Sequence, residues 1–325
     1  MNPMRATALL TMAIAGLVAA LFALPLGNAF AQPTTVQASA SRGRLPPAAA
    51  RRGPLRVVFP PVVSGDAVMP TLASSTSFIV IDVASGAALS ERNADRILPV
   101  ASLTKLASAL VAISTGIDLR DRVTIDPGDL REGSEPILIP GETVTRDELL
   151  AASLVGSSNV AIAALARSTG LSTAEFVAHM NRIGGTLGLH QTTFIEPTGL
   201  DERNRSTARE VAYLARAAFG DLRIRKYTLL SDVTLHPEPS KSPKVRLVKS
   251  TDALLTSDLA SPPHLLLGGK TGSLGADTGY HFAFMIQNGE RHPIIVVVLG
   301  SETAYTRFDE ARTLARWTFE NFHWN

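Results

Sequence analysis

The stretch from residue 100 to residue 113 constrains the fold more than any other part of the chain. Its sequence, VASLTKLASALVAI, is dominated by alanine and leucine, so it predicts a strong helix, and it is apolar on nearly every side. Such a helix must be covered by other elements all round, so the chain must build a sizeable core. Its 325 residues suffice for one large domain or two, and 18% charged with 45% hydrophobic residues is typical of a globular protein.

Two polar side chains in this helix suggest chemistry. Ser102 and Lys105 are three residues apart and share one helical face. Burial lowers the pKa of a lysine, so a neutral Lys105 amine could take the proton of the Ser102 hydroxyl. Ser102 also lies near the predicted helix N-terminus, where the helix dipole favours developing negative charge. The alternative is a capping serine beside a lysine that extends outward to water, and the pair alone does not decide.

Two further patterns lie at element boundaries. Residues 147–155 predict a second apolar helix, and Ser157-Ser158-Asn159 lies in the break before another alanine-rich helix. The tripeptide at 270–272, Lys-Thr-Gly, lies at the end of a predicted strand, just before a turn into the next. Each has a simpler interpretation, as a turn with a helix cap or as a chance tripeptide. However, Ser-x-x-Lys, Ser-x-Asn and Lys-Thr-Gly each occur once and in that order, which favours a shared site.

The Gly-Lys-Thr within the third pattern is not typical of a phosphate-binding loop. His264 occupies the position of the first glycine of such a loop, and two glycines soon after Thr271 make a poor first helical turn. Residues 280–286, a little further along the chain, predict a buried strand instead of the helix whose N-terminus would hold a phosphate.

Composition excludes several other classes of function. The chain has no cysteine, which excludes disulfides, cysteine catalysis and thiolate metal sites. Its formal net charge is only +2, without a basic stripe interleaved with aromatic residues, so nucleic acid is not an expected partner. No metal ion and no cofactor is expected.

The N-terminus predicts secretion. An apolar run at residues 6–24 is followed by Pro25 and by Ala29-Phe30-Ala31, which is typical of a signal peptide with its cleavage site. We therefore expect a signal peptide at 1–31, a mature chain that begins at Gln32, and a periplasmic protein without a stable membrane anchor. The alternative is an uncleaved anchor, because the apolar run is near spanning length.

The remaining chain divides into two parts. Residues 32–75 are rich in Pro, Ala, Ser, Val and Arg without periodicity, so they predict a linker or loosely packed lead-in. The folded domain is expected at 76–325, and it starts with a strand at 77–83 that turns back into a hairpin.

Taken together, these motifs give the sequence a resemblance to the penicillin-binding proteins and serine β-lactamases, whose three motifs are similar to the three patterns above. Flanking segments narrow the resemblance to the low-molecular-mass D-alanyl-D-alanine carboxypeptidases and endopeptidases; these segments are residues 194–200, 206–208 and 307–312. The resemblance runs from about residue 75 to the end of the chain.

The resemblance implies catalytic roles for three residues. Ser102 would be the nucleophile that forms an acyl-ester, and Lys105 its general base. Ser157 would relay protons to the leaving amine. The backbone N–H groups of Ser102 and Ser273 would form the oxyanion hole, which stabilises a tetrahedral intermediate.

It also implies five substrate-binding residues, which are Ser273 with its N–H in the oxyanion hole and four others. Asn159 would hold an amide carbonyl of the substrate, and Lys270 and Thr271 would bind the carboxylate of the peptide. Gly272 suits a strand edge to which a substrate backbone must come close.

The implied fold is the α/β, β-lactamase/transpeptidase-like class. The N-terminal hairpin and strands at 265–271, 279–287 and 293–299 would form one antiparallel sheet flanked by helices, with the helix at about 305–322 packed on it. A helical subdomain at about 100–220 would carry the first two motifs, and the active site would lie between the two.

The implied function is hydrolysis of D-alanyl peptide bonds in peptidoglycan stem peptides, with β-lactam antibiotics as covalent inhibitors. We favour a cross-link endopeptidase over a carboxypeptidase, because the chain ends at Asn325 directly after its last predicted helix.

A β-lactamase needs a deacylating base, and Glu196 does not match the class A pattern, so it is interpreted as a turn residue. A Ser-His-Asp hydrolase is not favoured, because the sequence contains no Gly-x-Ser-x-Gly elbow. A sensor without turnover remains as an alternative of another class.

Overall fold

The computed structural model describes residues 58–72, 74–131, 137–239 and 245–324. The expected signal peptide at 1–31, its cleavage before Gln32 and most of the expected linker at 32–75 lie outside these ranges and stay predictions. Within these ranges, no helix combines the length and the apolar character needed to cross a membrane.

Thirteen strands and seven α-helices form the regular structure of these residues. The strands are β1 (Val62–Val63), β2 (Ser77–Asp82), β3 (Ala88–Arg92), β4 (Leu98–Pro99), β5 (Arg122–Thr124), β6 (Thr143–Thr145), β7 (Arg205–Ser206), β8 (Asp232–Leu235), β9 (Arg246–Lys249), β10 (Leu265–Ser273), β11 (Tyr280–Gln287), β12 (Pro293–Ser301) and β13 (Phe322–His323). The helices are α1 (Thr104–Ser114), α2 (Arg146–Val155), α3 (Asn159–Arg167), α4 (Thr173–Thr186), α5 (Ala208–Gly220), α6 (Leu222–Thr228) and α7 (Thr306–Asn321).

The central sheet has five antiparallel strands in the order β10-β11-β12-β2-β3. The expected antiparallel sheet flanked by helices is thereby confirmed. Its first strand runs two residues further than expected, because Ser273 still pairs with Tyr280 before the chain turns. The tripeptide at 270–272 therefore lies inside β10 and not at its end.

Both faces of the sheet are buried, which explains why its central strands are apolar at nearly every position. Alternate residues point to opposite faces: Ile79 and Ile81 pack toward the helices that precede β8, whereas Phe78 and Val80 pack toward α7. The helix α1 belongs to the first of these cores, and all of its residues are buried. The all-round apolar pattern of this segment is explained by this position.

The chain enters α1 through a tight turn instead of a continuous helix. A 3₁₀ turn at Ala101–Leu103 precedes α1, and Ala101 has a φ of 48°, in the left-handed region that non-glycine residues rarely adopt. Strained backbone of this kind persists only where the surroundings hold it, and it is common at functional sites. Ser102 comes directly after it and is only partly buried.

Part of the segment expected as a linker packs on the C-terminal helix. β1 pairs with β13, and the backbone N–H groups of Ser74 and Ser75 donate to the buried Glu310 carboxylate at 2.6 and 3.0 Å. The folded unit therefore includes residues before position 76.

Candidate active site

The structure brings the three sequence patterns together at one place. The Lys105 amine contacts the Ser102 hydroxyl at 2.8 Å and the Asn159 Oδ1 at 2.7 Å. The Lys270 amine donates to the Ser157 hydroxyl at 2.8 Å. Residues from the start of α1, the α2–α3 connection and β10 therefore meet at one site.

The two serines of the α2–α3 connection have different roles. Ser158 caps α3, since its hydroxyl accepts the N–H of Ala161 at 3.2 Å, a contact worth about 1 kcal/mol. Ser157 has a φ of 58°, and its side chain contacts Lys270 instead. Asn159 is the first residue of α3, which fixes its amide beside Lys105. The simpler interpretation of a turn with a helix cap holds for Ser158 alone.

The strand β10 lies directly against the turn that carries the nucleophile candidate. A Cβ at Gly272 would be 2.9 Å from the Val100 carbonyl oxygen and 3.3 Å from the Leu103 nitrogen. A side chain at this position would push β10 away from Ser102. Gly272 is thus required by the fold itself, in addition to any substrate that approaches the strand.

The neighbours of Gly272 are also held in place. The Thr271 hydroxyl is hydrogen-bonded to the Thr251 hydroxyl at 2.6 Å. Ser273, at the end of β10, accepts the N–H of Gly275 at 3.1 Å through its hydroxyl. These contacts orient two of the four predicted β10 residues at the site.

Burial lowers the pKa of both lysines. Lys105 is fully buried, and burial lowers its pKa to about 7, with the negative charge of Glu196 acting in the opposite direction. Burial also lowers the pKa of Lys270 well below its ordinary value, and the positive charges of Lys105 and Arg307 lower it further. A lysine with a pKa near neutrality can act as a base, which an arginine cannot.

The protonation of Lys105 determines what it can do to Ser102. In its charged form the amine donates three hydrogen bonds, to the Ser102 hydroxyl, the Asn159 Oδ1 and the Thr198 carbonyl oxygen at 2.7 Å. In its neutral form it has two N–H groups and one lone pair. Two of its three partners are acceptors, so the lone pair is left facing the Ser102 hydroxyl, which must then donate its proton to Lys105. This arrangement activates the serine.

Sequence reasoning missed several residues of the site. Glu196, interpreted as a turn residue, does accept the N–H groups of Thr198 and Gly199, but its charge also acts on Lys105. The Thr198 carbonyl is a backbone group, which no residue pattern reveals.

A second group of charges lies behind β10. Asp252 is buried, and burial raises its pKa to about 6, offset by the Leu254 N–H and by the charges of Arg307 and Lys270. Arg307 donates to the Gly272 carbonyl oxygen at 3.3 Å, and burial lowers its pKa to about 10. The segment 307–312 supported the family resemblance, but no site role was predicted for Arg307.

No group of three or more His, Asp or Glu side chains among the described residues is placed to hold a metal ion.

Comparisons with known proteins agree with this geometry. Residues 65–303 match a family model described as D-alanyl-D-alanine carboxypeptidase. A D-alanyl-D-alanine endopeptidase of Pseudomonas aeruginosa is 31% identical over 264 residues, which cover 79% of this chain and 81% of the relative. The D-alanyl-D-alanine carboxypeptidase DacC of Escherichia coli is 33% identical over 260 residues, which cover 76% of this chain but only 61% of the relative. A solved Streptomyces DD-transpeptidase superimposes with a TM-score of 0.70 at 25% identity, over 78% of this chain and 99% of that structure. This likeness confirms the expected transpeptidase-like fold class.

Proposed function

The chain belongs to the D-alanyl-D-alanine carboxypeptidase family of serine peptidases, and from that premise we propose a role for each residue around Ser102. The enzyme is a serine D-alanyl-D-alanine peptidase of peptidoglycan and a penicillin-binding protein. Within that activity we propose that it cleaves the D-alanyl bond of cross-linked stem peptides, as an endopeptidase. The likeness to the Pseudomonas aeruginosa endopeptidase, which extends over most of both chains, supports this preference.

One observation carries the proposal: the fully buried Lys105 amine, 2.8 Å from the Ser102 hydroxyl oxygen, with acceptor oxygens in its two other directions. Neutral Lys105 takes the Ser102 proton while the serine oxygen attacks the D-alanyl carbonyl carbon. The C–N bond of the peptide breaks, and an acyl-ester on Ser102 remains. Water then attacks the ester, again with Lys105 as the base.

Ser157 completes the proton path in this proposal. Its hydroxyl, held by Lys270 at 2.8 Å, gives a proton to the amine that leaves and receives in its place the proton that Lys105 took from Ser102, so Lys105 is neutral again for the second step. The backbone N–H groups of Ser102 and Ser273 stabilise the oxyanion, a kind of contact worth about 3–4 kcal/mol for each donor. The close approach of β10 to the turn at 101–103 supports this assignment.

Substrate binding is proposed for four residues. Asn159 binds an amide carbonyl through its amide nitrogen, since its oxygen is occupied by Lys105. Lys270 and Thr271 bind the carboxylate of the peptide, and Gly272 admits the substrate backbone to the edge of β10. A bound carboxylate raises the pKa of Lys270 toward its ordinary value, because an opposite charge favours the ammonium form. The substrate carboxylate thus favours the charged form of the lysine that binds it.

The enzyme is expected to meet its substrate in the periplasm after secretion, since peptidoglycan lies outside the cytoplasm. The predicted signal peptide supports this location.

Incubation with a purified cross-linked muropeptide dimer tests the proposed reaction. We expect conversion of the dimer to monomers, observed by chromatography with mass detection, and no conversion by Ser102→Ala. A monomeric pentapeptide is tested in parallel, and its terminal D-alanine is expected to leave more slowly than the cross-link is cut. Faster loss of that D-alanine with an intact dimer would assign a carboxypeptidase. Recovery of both substrates unchanged would indicate a sensor without turnover.

A further inference from the structure

The turn at residues 196–199 connects a carboxylate to the candidate base. The Glu196 carboxylate accepts the Thr198 N–H at 2.7 Å, the Thr198 hydroxyl at 2.6 Å and the Gly199 N–H at 2.6 Å. The Asn204 amide also donates to it, at 2.7 Å. With the Asp201 N–H at 3.4 Å, five donors from four residues converge on this side chain, and they fix the Thr198–Gly199 peptide.

The fixed peptide points its carbonyl at the site. The Thr198 carbonyl oxygen accepts from the Lys105 amine at 2.7 Å, and Thr198 is completely buried. The adjacent Pro197 carbonyl accepts from the Ser108 hydroxyl at 2.7 Å, one turn of α1 beyond Lys105. Two successive carbonyls thus bind the turn to the helix that carries the base.

We propose that Glu196 is a positioning residue for acylation: through this turn it holds the Thr198 carbonyl on one N–H group of Lys105, so that the lone pair faces Ser102. The inference rests on the proposed function, since it assumes that Lys105 is the base. Without the Thr198 carbonyl, the amine could rotate, and one of its N–H groups could replace the lone pair at Ser102.

The charge of Glu196 adds an effect that geometry alone does not supply. The Glu196 carboxylate acts on Lys105 from the turn. Lys270 faces Lys105 from β10, and the positive charge of Lys105 lowers the pKa of Lys270. Asp252 and Arg307 lie beyond Lys270 and act on it. Of these, Glu196 raises the pKa of Lys105, against the larger effect of burial. Removing the negative charge therefore lowers the pKa of Lys105.

The rate of acylation should depend on pH through this lysine. Acylation requires neutral Lys105, so in the wild-type enzyme its rate rises with pH through about 7 and then reaches a plateau. In Glu196→Gln the rise is expected at lower pH, because the pKa of Lys105 falls. The plateau is expected to drop by up to roughly 10²-fold, because the Thr198 carbonyl is held less firmly.

This role is tested by the rates of acylation by a penicillin between pH 5 and 9. They are measured by rapid-quench mixing followed by intact-protein mass spectrometry. Glu210→Gln is the matched control, since Glu210 is a carboxylate that, like Glu196, accepts loop donors, here from Gln191 and Thr192. It is expected to lower thermal stability and leave the pH of the rise unchanged. Glu196→Asp keeps the charge but reaches less far, so its rise is expected near the wild-type pH with a reduced plateau.

A rise at the wild-type pH in Glu196→Gln, or the same displacement in Glu210→Gln, would overturn the inference. If Glu196→Gln does not fold, Glu196→Asp decides, and an undiminished plateau there would overturn it. A wild-type enzyme that forms no Ser102 adduct would contradict the proposed function itself. If the wild-type enzyme is acylated normally and the pH dependence of acylation is the same in Glu196→Gln, only the role of Glu196 is contradicted.

Discussion

Replacing Lys105 by arginine is expected to lower the rate of acylation of Ser102 by roughly 10²–10⁴-fold, the contribution of a general base. An arginine stays protonated at every relevant pH and has no lone pair for the serine proton. Burial lowers the pKa of Lys105 to about 7, which places the native amine where it can alternate between charged and neutral forms. The measurement is the rate of adduct formation with a penicillin, combined with thermal unfolding to verify the fold.

Lys226→Arg is the control for this change, because the Lys226 side chain is 60% exposed and lies on α6. It is expected to leave both the rate and the melting temperature unchanged. Near-normal acylation by a correctly folded Lys105→Arg enzyme would assign the base to another group.

Replacing Gly199 by alanine is expected to damage both the fold and the site. A Cβ at this position would be 2.0 Å from the Ala101 carbonyl oxygen and 3.0 Å from the Ser102 nitrogen. Gly199 also has a φ of 86°, which costs a residue with a side chain about 1–2 kcal/mol. The turn beside Ser102 must therefore move, and a displacement of about 1 Å at a reacting group costs roughly 10²-fold in rate.

The control for this change is Gly170→Ala. Gly170 has a φ of 80°, but a Cβ there meets no atom within 4 Å. This variant therefore measures only the cost of a side chain at positive φ, which is about 1–2 kcal/mol of unfolding free energy. It is expected to leave acylation intact. Denaturant unfolding and penicillin acylation of both variants give the comparison. Equal losses of stability and normal acylation in both would show that the contact with Ala101 is unimportant.

The fold was largely predictable because its signals are local. The apolar strands and the alanine-rich helices result from periodicity within each segment, and the three motifs carry the family resemblance, which the family match confirms. The start of α1 was predicted less well, since a left-handed Ala101 has no signature in residue type. Such a conformation is imposed by tertiary contacts, here with the turn that contains Gly199.

The site was predictable only where a side chain is part of a motif. Ser102 and Lys105 could be paired because they lie on one helical face. The contact of Lys105 with the Thr198 carbonyl joins residues 93 positions apart through a backbone atom, and no local pattern contains it. Arg307 and Asp252 likewise approach Lys270 from distant elements. The interpretation of Glu196 as a turn residue was incomplete for the same reason, since its effect on Lys105 depends on where the turn packs.

The central claim is that Ser102 forms an acyl-ester through Lys105, and intact-protein mass spectrometry after mixing with a penicillin tests it most directly. The β-lactam C–N bond opens as the Ser102 oxygen binds the carbonyl carbon, and the leaving nitrogen stays tethered to the adduct, where it blocks the path of water. The account predicts a mass increase of one whole penicillin molecule that persists for minutes or longer, lies on Ser102 and is absent in Ser102→Ala. No adduct on the folded wild-type enzyme, or rapid hydrolysis of the penicillin with free enzyme regenerated as in a β-lactamase, would contradict it.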